Sequence, residues 1–451
     1  MAEAEKKPVA PVKKPVVKKP VVSLGRKFDY KLIVLGSGAA GTAAALVAAR
    51  NMRGKKKIAI VEAGVWGGAS GNLRYAMPAA AQFKNAETRK PSGVSKKICE
   101  EAGIDCIRGF AHFINPYEIA VGSRKLAAPR YILATGARID LNSVPGASET
   151  ECLTPEAAMR LTNLPKMVTV IGGGSTGCEV ASYLAELGVK VILMEAAEHL
   201  LPREDKEAGI LMEQYFVKRL GMKVLAGAQA IKIDQDERSK RVIFATATGE
   251  KTVRTEMIVL ANGAVPVTGY GLENAKVKYA RAGIRVDRGL QTSSKHIWAA
   301  GDAIGGGESS YEKAGYEGTI AAGNAVRHAK NLINYSGFMR VTNTYPQVAK
   351  VGLNEVDCAA AKVRGVRKGM VMLGDVAASR IHGFNVGFVK ILTDKQGKLL
   401  GATVMAPEAS LIAQEIALAL RYGMTVVELA ATPHSGFGWG EAVQEAVRRI
   451  K

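Results

Sequence analysis

Two glycine-rich turns, each framed by the same strand and helix signals, constrain this 451-residue chain more than any other feature. The first is Gly36-Ser-Gly38-Ala-Ala-Gly41, after the β-rich run KLIVL and before an Ala-rich helical run. A second apolar run, KKIAIVEAG, ends at Glu62, 21 residues after Gly41. GxGxxG alone is a weak signal. Between a strand and a helix, with an acid about 20 residues on, it is a dinucleotide-binding fingerprint. The first glycine permits the tight turn, the second lets a pyrophosphate approach backbone N–H groups, and the third lets helix pack on strand. The helix N-terminus then holds the phosphates through its unpaired donors and dipole. A carboxylate at the end of the second strand accepts the ribose hydroxyls.

A second copy reads MVTVIGGGSTGCEVASYLAELGVKVILME. Here Gly172, Gly174 and Gly177 are followed by Glu195, 18 residues after Gly177. Two complete fingerprints predict two dinucleotide sites, and the natural chemistry for such a chain is electron transfer between them, typically nicotinamide to flavin. Glu195 repels the 2′-phosphate of NADP, and no Arg follows it before Arg203, so NADH is the expected coenzyme. The first turn also disposes of a membrane reading. Leu32 to Ala49 is uncharged and near the roughly 20 residues of a spanning helix. Its glycines cluster where strand pattern changes to helix pattern, so no transmembrane segment is expected.

Hydrophobic residues at 47% and charged residues at 23% exclude a wholly disordered or fibrous chain. The five cysteines (Cys99, Cys106, Cys152, Cys178, Cys358) form no CxxC pair and are too sparse for a disulfide scaffold. A reducing, cytoplasmic setting is therefore expected, and no metal site. The net charge of +21 is uneven. Residues 1–27 hold eight basic and two acidic residues, a net +6, in repeating Lys-Lys-Pro-Val units. Pro blocks a helix there, so an extended, solvated tail is expected over about residues 1–28. It suits either contact with an acidic surface (nucleic acid, anionic membrane or protein partner) or plain solubilisation. It lacks the apolar core of a secretory signal. No aromatic interleaves its lysines, and no recognition motif supports direct nucleic-acid binding.

Further along, Tyr131-Ile-Leu-Ala-Thr-Gly-Ala137, Ile297-Trp-Ala-Ala-Gly-Asp302, Ala314-Gly-Tyr-Glu-Gly318, Tyr345-Pro-Gln-Val-Ala-Lys-Val-Gly-Leu353 and Gly387-Phe-Val-Lys390 follow in order. With the two fingerprints they resemble the two-nucleotide flavoprotein family that includes dihydrolipoamide dehydrogenase, glutathione reductase and mercuric reductase. The resemblance covers about residues 29–451. It implies an α/β fold with two Rossmann-like dinucleotide-binding domains and a C-terminal α+β dimerisation domain. The FAD domain, residues 29–152 and 273–338, would be split by an NAD domain at 153–272, and residues 339–451 would form the interface of a homodimer. FAD would be held at Gly36, Gly38, Gly41, Glu62, Gly68, Ala111, Thr135, Gly136, Gly301 and Asp302, the last accepting a ribityl hydroxyl. NAD(H) would be held at Gly172, Gly174, Gly177, Glu195 and Gly263.

Departures from the family decide the expected chemistry. Where the family has two redox cysteines five apart after a Gly-Gly pair, this chain reads Gly67-Gly68-Ala-Ser70-Gly-Asn-Leu-Arg-Tyr75-Ala-Met-Pro78. Ser70 and Tyr75 fall at the cysteine positions, and a hydroxyl and a phenol cannot cycle between dithiol and disulfide. Tyr75 is instead expected beside the flavin, donating to reduced flavin or to a quinone oxygen. The family's C-terminal His-x-His-Pro run is also altered: aligned on Glu441, Gly436 stands at the position of its acid/base His, leaving His434 as the general-acid candidate. Glu179 matches the family's Glu near the nicotinamide, without its usual Lys partner. Between Ala79 and Arg130 the family's helical excursion is shortened.

The resulting expectation is an FAD enzyme passing electrons from NADH directly to a non-disulfide acceptor: a quinone, a dye-like acceptor, oxygen or a partner redox protein. Tyr75, Glu179, His434 and Glu441 are its candidate catalytic groups. A second reading is a flavoprotein-derived structural or regulatory subunit of a larger acidic assembly, favoured by the altered redox groups and basic tail. The intact Glu62, Glu195 and Asp302 weigh against it.

Overall fold

The computed structural model describes residues 27–52, 57–68, 94–237, 239–306 and 310–451. Ser70, Tyr75, Pro78 and nearly all of the basic tail lie outside the described residues.

The run KLIVL becomes β1 (Leu32–Leu35), buried at every position, as a parallel strand covered on both faces must be. It leads into α1 (Ala39–Met52) and β2 (Ile58–Glu62). After the segment outside the description come α2 (Val94–Glu101) and β3 (Asp105–Arg108). An antiparallel sheet of β4 (Ala111–Asn115), β5 (Glu118–Val121) and β6 (Arg124–Ala127) then precedes β7 (Tyr131–Leu133). β8 (Ala137–Ile139) leaves this lobe.

The second lobe repeats the pattern. It runs α3 (Pro155–Met159), β9 (Met167–Ile171), α4 (Ser175–Glu186), β10 (Lys190–Met194), α5 (Lys206–Leu220) and β11 (Lys223–Leu225). An antiparallel sheet of β12 (Gln229–Gln235), β13 (Lys240–Thr246) and β14 (Gly249–Thr255) follows, then β15 (Met257–Leu260). Its parallel strands stand in the order β11-β10-β9-β15. β16 (Ala264–Pro266) returns antiparallel to β8. After β17 (Tyr279–Ala280) and β18 (Gly283–Ile284), β19 (Ile297–Ala299) completes the first sheet in the order β19-β7-β1-β2-β3. α6 (Tyr311–Arg327) joins α1 in one core cluster.

One nucleotide lobe is thus inserted into another, and the chain crosses between them on the β8–β16 pair. Val144, Ala147 and Cys152 pack in a core cluster of the second lobe, while Tyr270 and Leu272 pack in the first. Packing thus changes sides nearer the β8–β16 pair than the junctions 152/153 and 273 expected from the sequence.

The C-terminal part has one antiparallel sheet. Its elements are β20 (Met339–Thr342), β21 (Gln347–Gly352), α7 (Glu355–Ala360), β22 (Arg367–Met372), α8 (Ala377–His382), β23 (Phe388–Thr393), β24 (Leu399–Ala406), α9 (Ala409–Tyr422), α10 (Val426–Ala431) and α11 (Glu441–Arg448). The strand order is β20-β21-β24-β23-β22. α9 buries Ile412, Ala413 and Ile416 against the sheet but exposes Leu411, Leu418 and Tyr422, the last 77% accessible. Among the described residues no helix is long and apolar enough to cross a membrane.

Candidate functional site

The two glycine turns are near copies in space. Gly36 and Gly172 have φ of +97° and +108°, which favour glycine. A Cβ on Gly41 would stand 1.9 Å from the Gly36 carbonyl oxygen, and one on Gly177 1.7 Å from that of Gly172. Helix and strand therefore meet at a distance only glycine allows. The middle glycines face outward: a Cβ on Gly174 would meet nothing within 4 Å, and one on Gly38 only the Gly68 Cα at 3.9 Å. That free face above a helix N-terminus leaves room for an anionic group to reach the backbone donors.

Each turn is fastened by the acid at its strand end. Glu62 Oε2 accepts the Ser37 N–H at 2.8 Å and the Ser37 hydroxyl at 2.7 Å, while its Oε1 accepts the Gly64 N–H at 2.5 Å. Glu195 accepts the Gly173 N–H at 2.6 Å and the Ala197 N–H at 2.8 Å. Each carboxylate oxygen keeps further lone-pair capacity for a ribose hydroxyl.

Around the first turn, the Gly67 N–H donates to Ser37 Oγ at 3.1 Å, and Gly68 lies against Gly38. The Thr135 hydroxyl reaches the Val267 carbonyl at 3.2 Å, and the Gly136 carbonyl accepts the Val267 N–H at 3.0 Å. Ala111 begins β4, three residues past the end of β3. Gly301 and Asp302 open a 3-10 turn after β19. The Gly301 N–H donates at 2.7 Å to Glu317 Oε2, from α6, and the Tyr335 hydroxyl donates to Glu317 Oε1 at 2.6 Å. Glu317 is fully buried, and burial raises its pKa against the opposing pull of Tyr335, Lys313 and the Gly301 N–H. Glu317 lies in the Ala314–Gly318 motif, yet its hold on the Gly301–Asp302 turn is visible only in three dimensions.

The second turn opens on a cleft of about 1040 Å³ lined by Gly172, Gly174, Glu179, Glu195, Gly263 and Arg340 among others. Asp302 borders the same cleft, so the two nucleotide lobes face each other across it. Glu179 is buried in α4, and its Oε1 accepts the Asn343 N–H at 2.8 Å and the Asn343 side-chain amide at 3.2 Å. Asn343 thus meets the carboxylate for which the sequence offered no partner. It sits between β20 and β21, 164 residues away in the chain, and no local pattern announces it.

The C-terminal candidates are arranged differently from the family order. His434 Nε2 lies 2.9 Å from Glu415 Oε2, and Nδ1 lies 2.8 Å from the Thr432 carbonyl oxygen. The carboxylate on His434 is therefore Glu415 of α9. Glu441 begins α11, and its Oε2 is buried with no hydrogen-bond partner among the described residues. The five cysteines are free thiols, four of them buried and Cys106 half-buried. Among the described residues no cluster of three or more His, Cys, Asp or Glu could hold a metal ion.

Comparison with known proteins agrees with this geometry. The sequence matches the pyridine nucleotide-disulphide oxidoreductase family over residues 30–327 and that family's dimerisation domain over residues 338–447. It is 29% identical to a mercuric reductase of Staphylococcus aureus, over 90% of this chain and 80% of that protein. It is 30% identical to a dihydrolipoyl dehydrogenase of Thermus scotoductus, over 93% and 97%. The crystal structure of LpdA from Mycobacterium tuberculosis superposes with a TM-score of 0.79 at 26% identity, over 93% of this chain and 99% of that one. The dimerisation domain supports a homodimer, and the exposed Leu411, Leu418 and Tyr422 belong to it. With two nucleotide lobes, one inserted in the other, and that third domain, the chain belongs to the pyridine nucleotide-disulphide oxidoreductase family of flavoproteins.

Proposed function

We propose that this protein is an FAD-dependent NADH oxidoreductase whose electron acceptor is not a disulfide. The observation that carries this reading is in the sequence after Gly67-Gly68: no cysteine occurs before Cys99, and Ser70 and Tyr75 stand where the family resemblance calls for the redox pair. In this reading the first lobe holds FAD and the lobe inserted into it holds NADH, with the chain crossing between them at the β8–β16 pair. Bound FAD supplies two-electron acceptance from a hydride and one- or two-electron delivery onward.

The chain's own work is positional. Gly36, Gly38 and Gly41 receive one pyrophosphate and Gly172, Gly174 and Gly177 the other, with Glu62 and Glu195 on the two ribose diols. Asp302 takes a ribityl hydroxyl. Glu179, set by Asn343, lines the cleft that receives the coenzyme. The acceptor is a quinone, a dye-like molecule, oxygen or a redox protein, and Tyr75 is the candidate donor toward a quinone oxygen.

Anaerobic titration tests the reading. Purified protein should be yellow, bleach with NADH, and regain colour with a quinone but not with lipoamide or glutathione disulfide. Reoxidation by a disulfide would overturn the acceptor class. A colourless protein that refuses added FAD would instead favour the structural-subunit reading.

A further inference from the structure

The loop between β10 and α5, residues 195–205, forms one wall of the coenzyme cleft through Leu201, Pro202, Arg203 and Glu204. On one side it is tied to the glycine turn. Leu201 is left-handed, with φ of +53°, and its N–H donates to the Gly173 carbonyl at 2.8 Å.

On the other side, tethers come from the dimerisation domain. The buried Asn354 side chain donates to the Arg203 carbonyl at 2.9 Å, and the Glu355 N–H donates to Asp205 Oδ1 at 2.9 Å. Arg340 pairs with Glu204. Behind them stands Lys390 of β23, its side chain 1% exposed. Its Nζ lies 2.7 Å from Glu207 Oε2, 2.5 Å from Glu355 Oε2 and 3.6 Å from Asp205 Oδ2. That Asp205 oxygen is buried and has no hydrogen-bond partner among the described residues. One ammonium therefore serves carboxylates from both domains at the point where the loop enters α5.

Burial alone would lower the Lys390 pKa, but hydrogen bonds to Glu207 and Glu355, with the charge of Asp205, outweigh it and raise the pKa. Truncating the lysine would leave Asp205 and Glu207 without it and Glu355 paired, among the described residues, only with Lys368, the costly way to break a buried ion pair.

We infer that Lys390 is a positioning residue for the nicotinamide coenzyme, holding the 195–205 loop against the dimerisation domain so that the cleft wall is preformed. It touches no substrate and acts through Asp205 and Glu207. The inference rests on the reading of this cleft as the NADH site.

The test compares wild type, Lys390→Met and Lys390→Arg, each purified with FAD. Calorimetric NADH binding and KM should weaken about tenfold in Lys390→Met, the scale of one lost charge-assisted contact, while FAD content and kcat at saturation stay near wild type. Amide exchange at Leu201 and Glu204 should quicken in the same variant, and Lys390→Arg should recover most of both effects. Should Lys390→Met not fold, Glu207→Gln, at a carboxylate 37% exposed, removes one charge facing Lys390 and should shift KM in the same direction by a smaller factor. Unchanged exchange and NADH affinity in a folded variant would overturn the inference. Wild type that binds no NADH would overturn the coenzyme reading instead, and the exchange measurement would still decide whether Lys390 holds the loop.

Discussion

The Glu195 carboxylate accepts the Gly173 N–H at 2.6 Å, so the acid proposed to meet the coenzyme also fixes the second glycine turn. In the proposed NADH site its negative charge would oppose the 2′-phosphate of NADPH. NADH should therefore reduce the protein with at least about tenfold higher kcat/KM than NADPH, one repulsive contact's worth. Glu195→Gln keeps acceptor oxygen for the turn but removes the repulsion, and should narrow the ratio. Equal or faster reduction of wild type by NADPH would show that cationic groups in the cleft, Arg203 and Arg340, override Glu195.

Gly177 and Gly41 test the two sites separately. A Cβ at 1.7 Å or 1.9 Å from a backbone oxygen cannot be absorbed by a flexible side chain, so the helix must move. Overpacking of this kind costs roughly 1–3 kcal/mol. Gly177→Ala should keep its FAD yet lose NADH binding, whereas Gly41→Ala should be isolated largely without flavin. Flavin content by absorbance, with NADH titration of each, reads the difference; loss of FAD in Gly177→Ala would mean the lobes are not independent sites.

Much of this was legible in the sequence because fingerprints act locally. Gly36, Gly41 and Glu62 are brought together by one βαβ unit, so spacing alone sets their relation, and the same holds for Gly172, Gly177 and Glu195. The third domain's contributions were not legible. Asn343 on Glu179, Arg340 on Glu204 and Lys390 on Asp205 each pair residues more than 130 positions apart, through contacts with no periodicity. His434 shows the same limit: its carboxylate is Glu415 of α9, 19 residues back with α10 between them in the chain, and no local pattern announces the pair.

Flavin retention should depend on Asp302 directly and on Glu317 indirectly. Asp302→Ala removes the proposed charged acceptor of a ribityl hydroxyl and should weaken FAD binding by ~1.5–3 kcal/mol. Glu317→Gln keeps the volume but loses one of its two acceptor oxygens, leaving either the Gly301 N–H or the Tyr335 hydroxyl without its acceptor. Its FAD dissociation constant should rise less than that of Asp302→Ala. A larger effect from Glu317→Gln would show that the turn geometry matters more than the ribityl contact.

Turnover should not depend on thiols. Burial pushes Cys99 up to about 11 and Cys106 up to about 12, and it raises Cys152, Cys178 and Cys358 as well. Thiolate is the reactive form, so at neutral pH the raised values leave these thiols protonated, and alkylation should quicken only as pH climbs. Iodoacetamide at pH 7 should leave NADH-to-quinone activity largely intact, and no thiolate-to-flavin charge-transfer band should appear on two-electron reduction. Rapid inactivation with such a band would place a reactive thiol at the flavin.

The basic N-terminal segment separates an address from a catalytic role. Residues 1–27 carry a net +6 and contain none of the residues assigned to either nucleotide. Deleting them should leave flavin content and NADH oxidation near those of the full chain. Association with vesicles containing anionic lipid should weaken, and before truncation it should fall steeply with salt, because exposed charges are screened over about 8–10 Å at physiological ionic strength. The same pair of proteins tests the structural-subunit reading: a complex that dissolves on truncation while catalysis persists identifies the segment as a docking address. Loss of flavin or of its reduction on truncation would mean that the segment packs on the nucleotide lobes, contrary to the extended, solvated tail that its Pro spacing predicts.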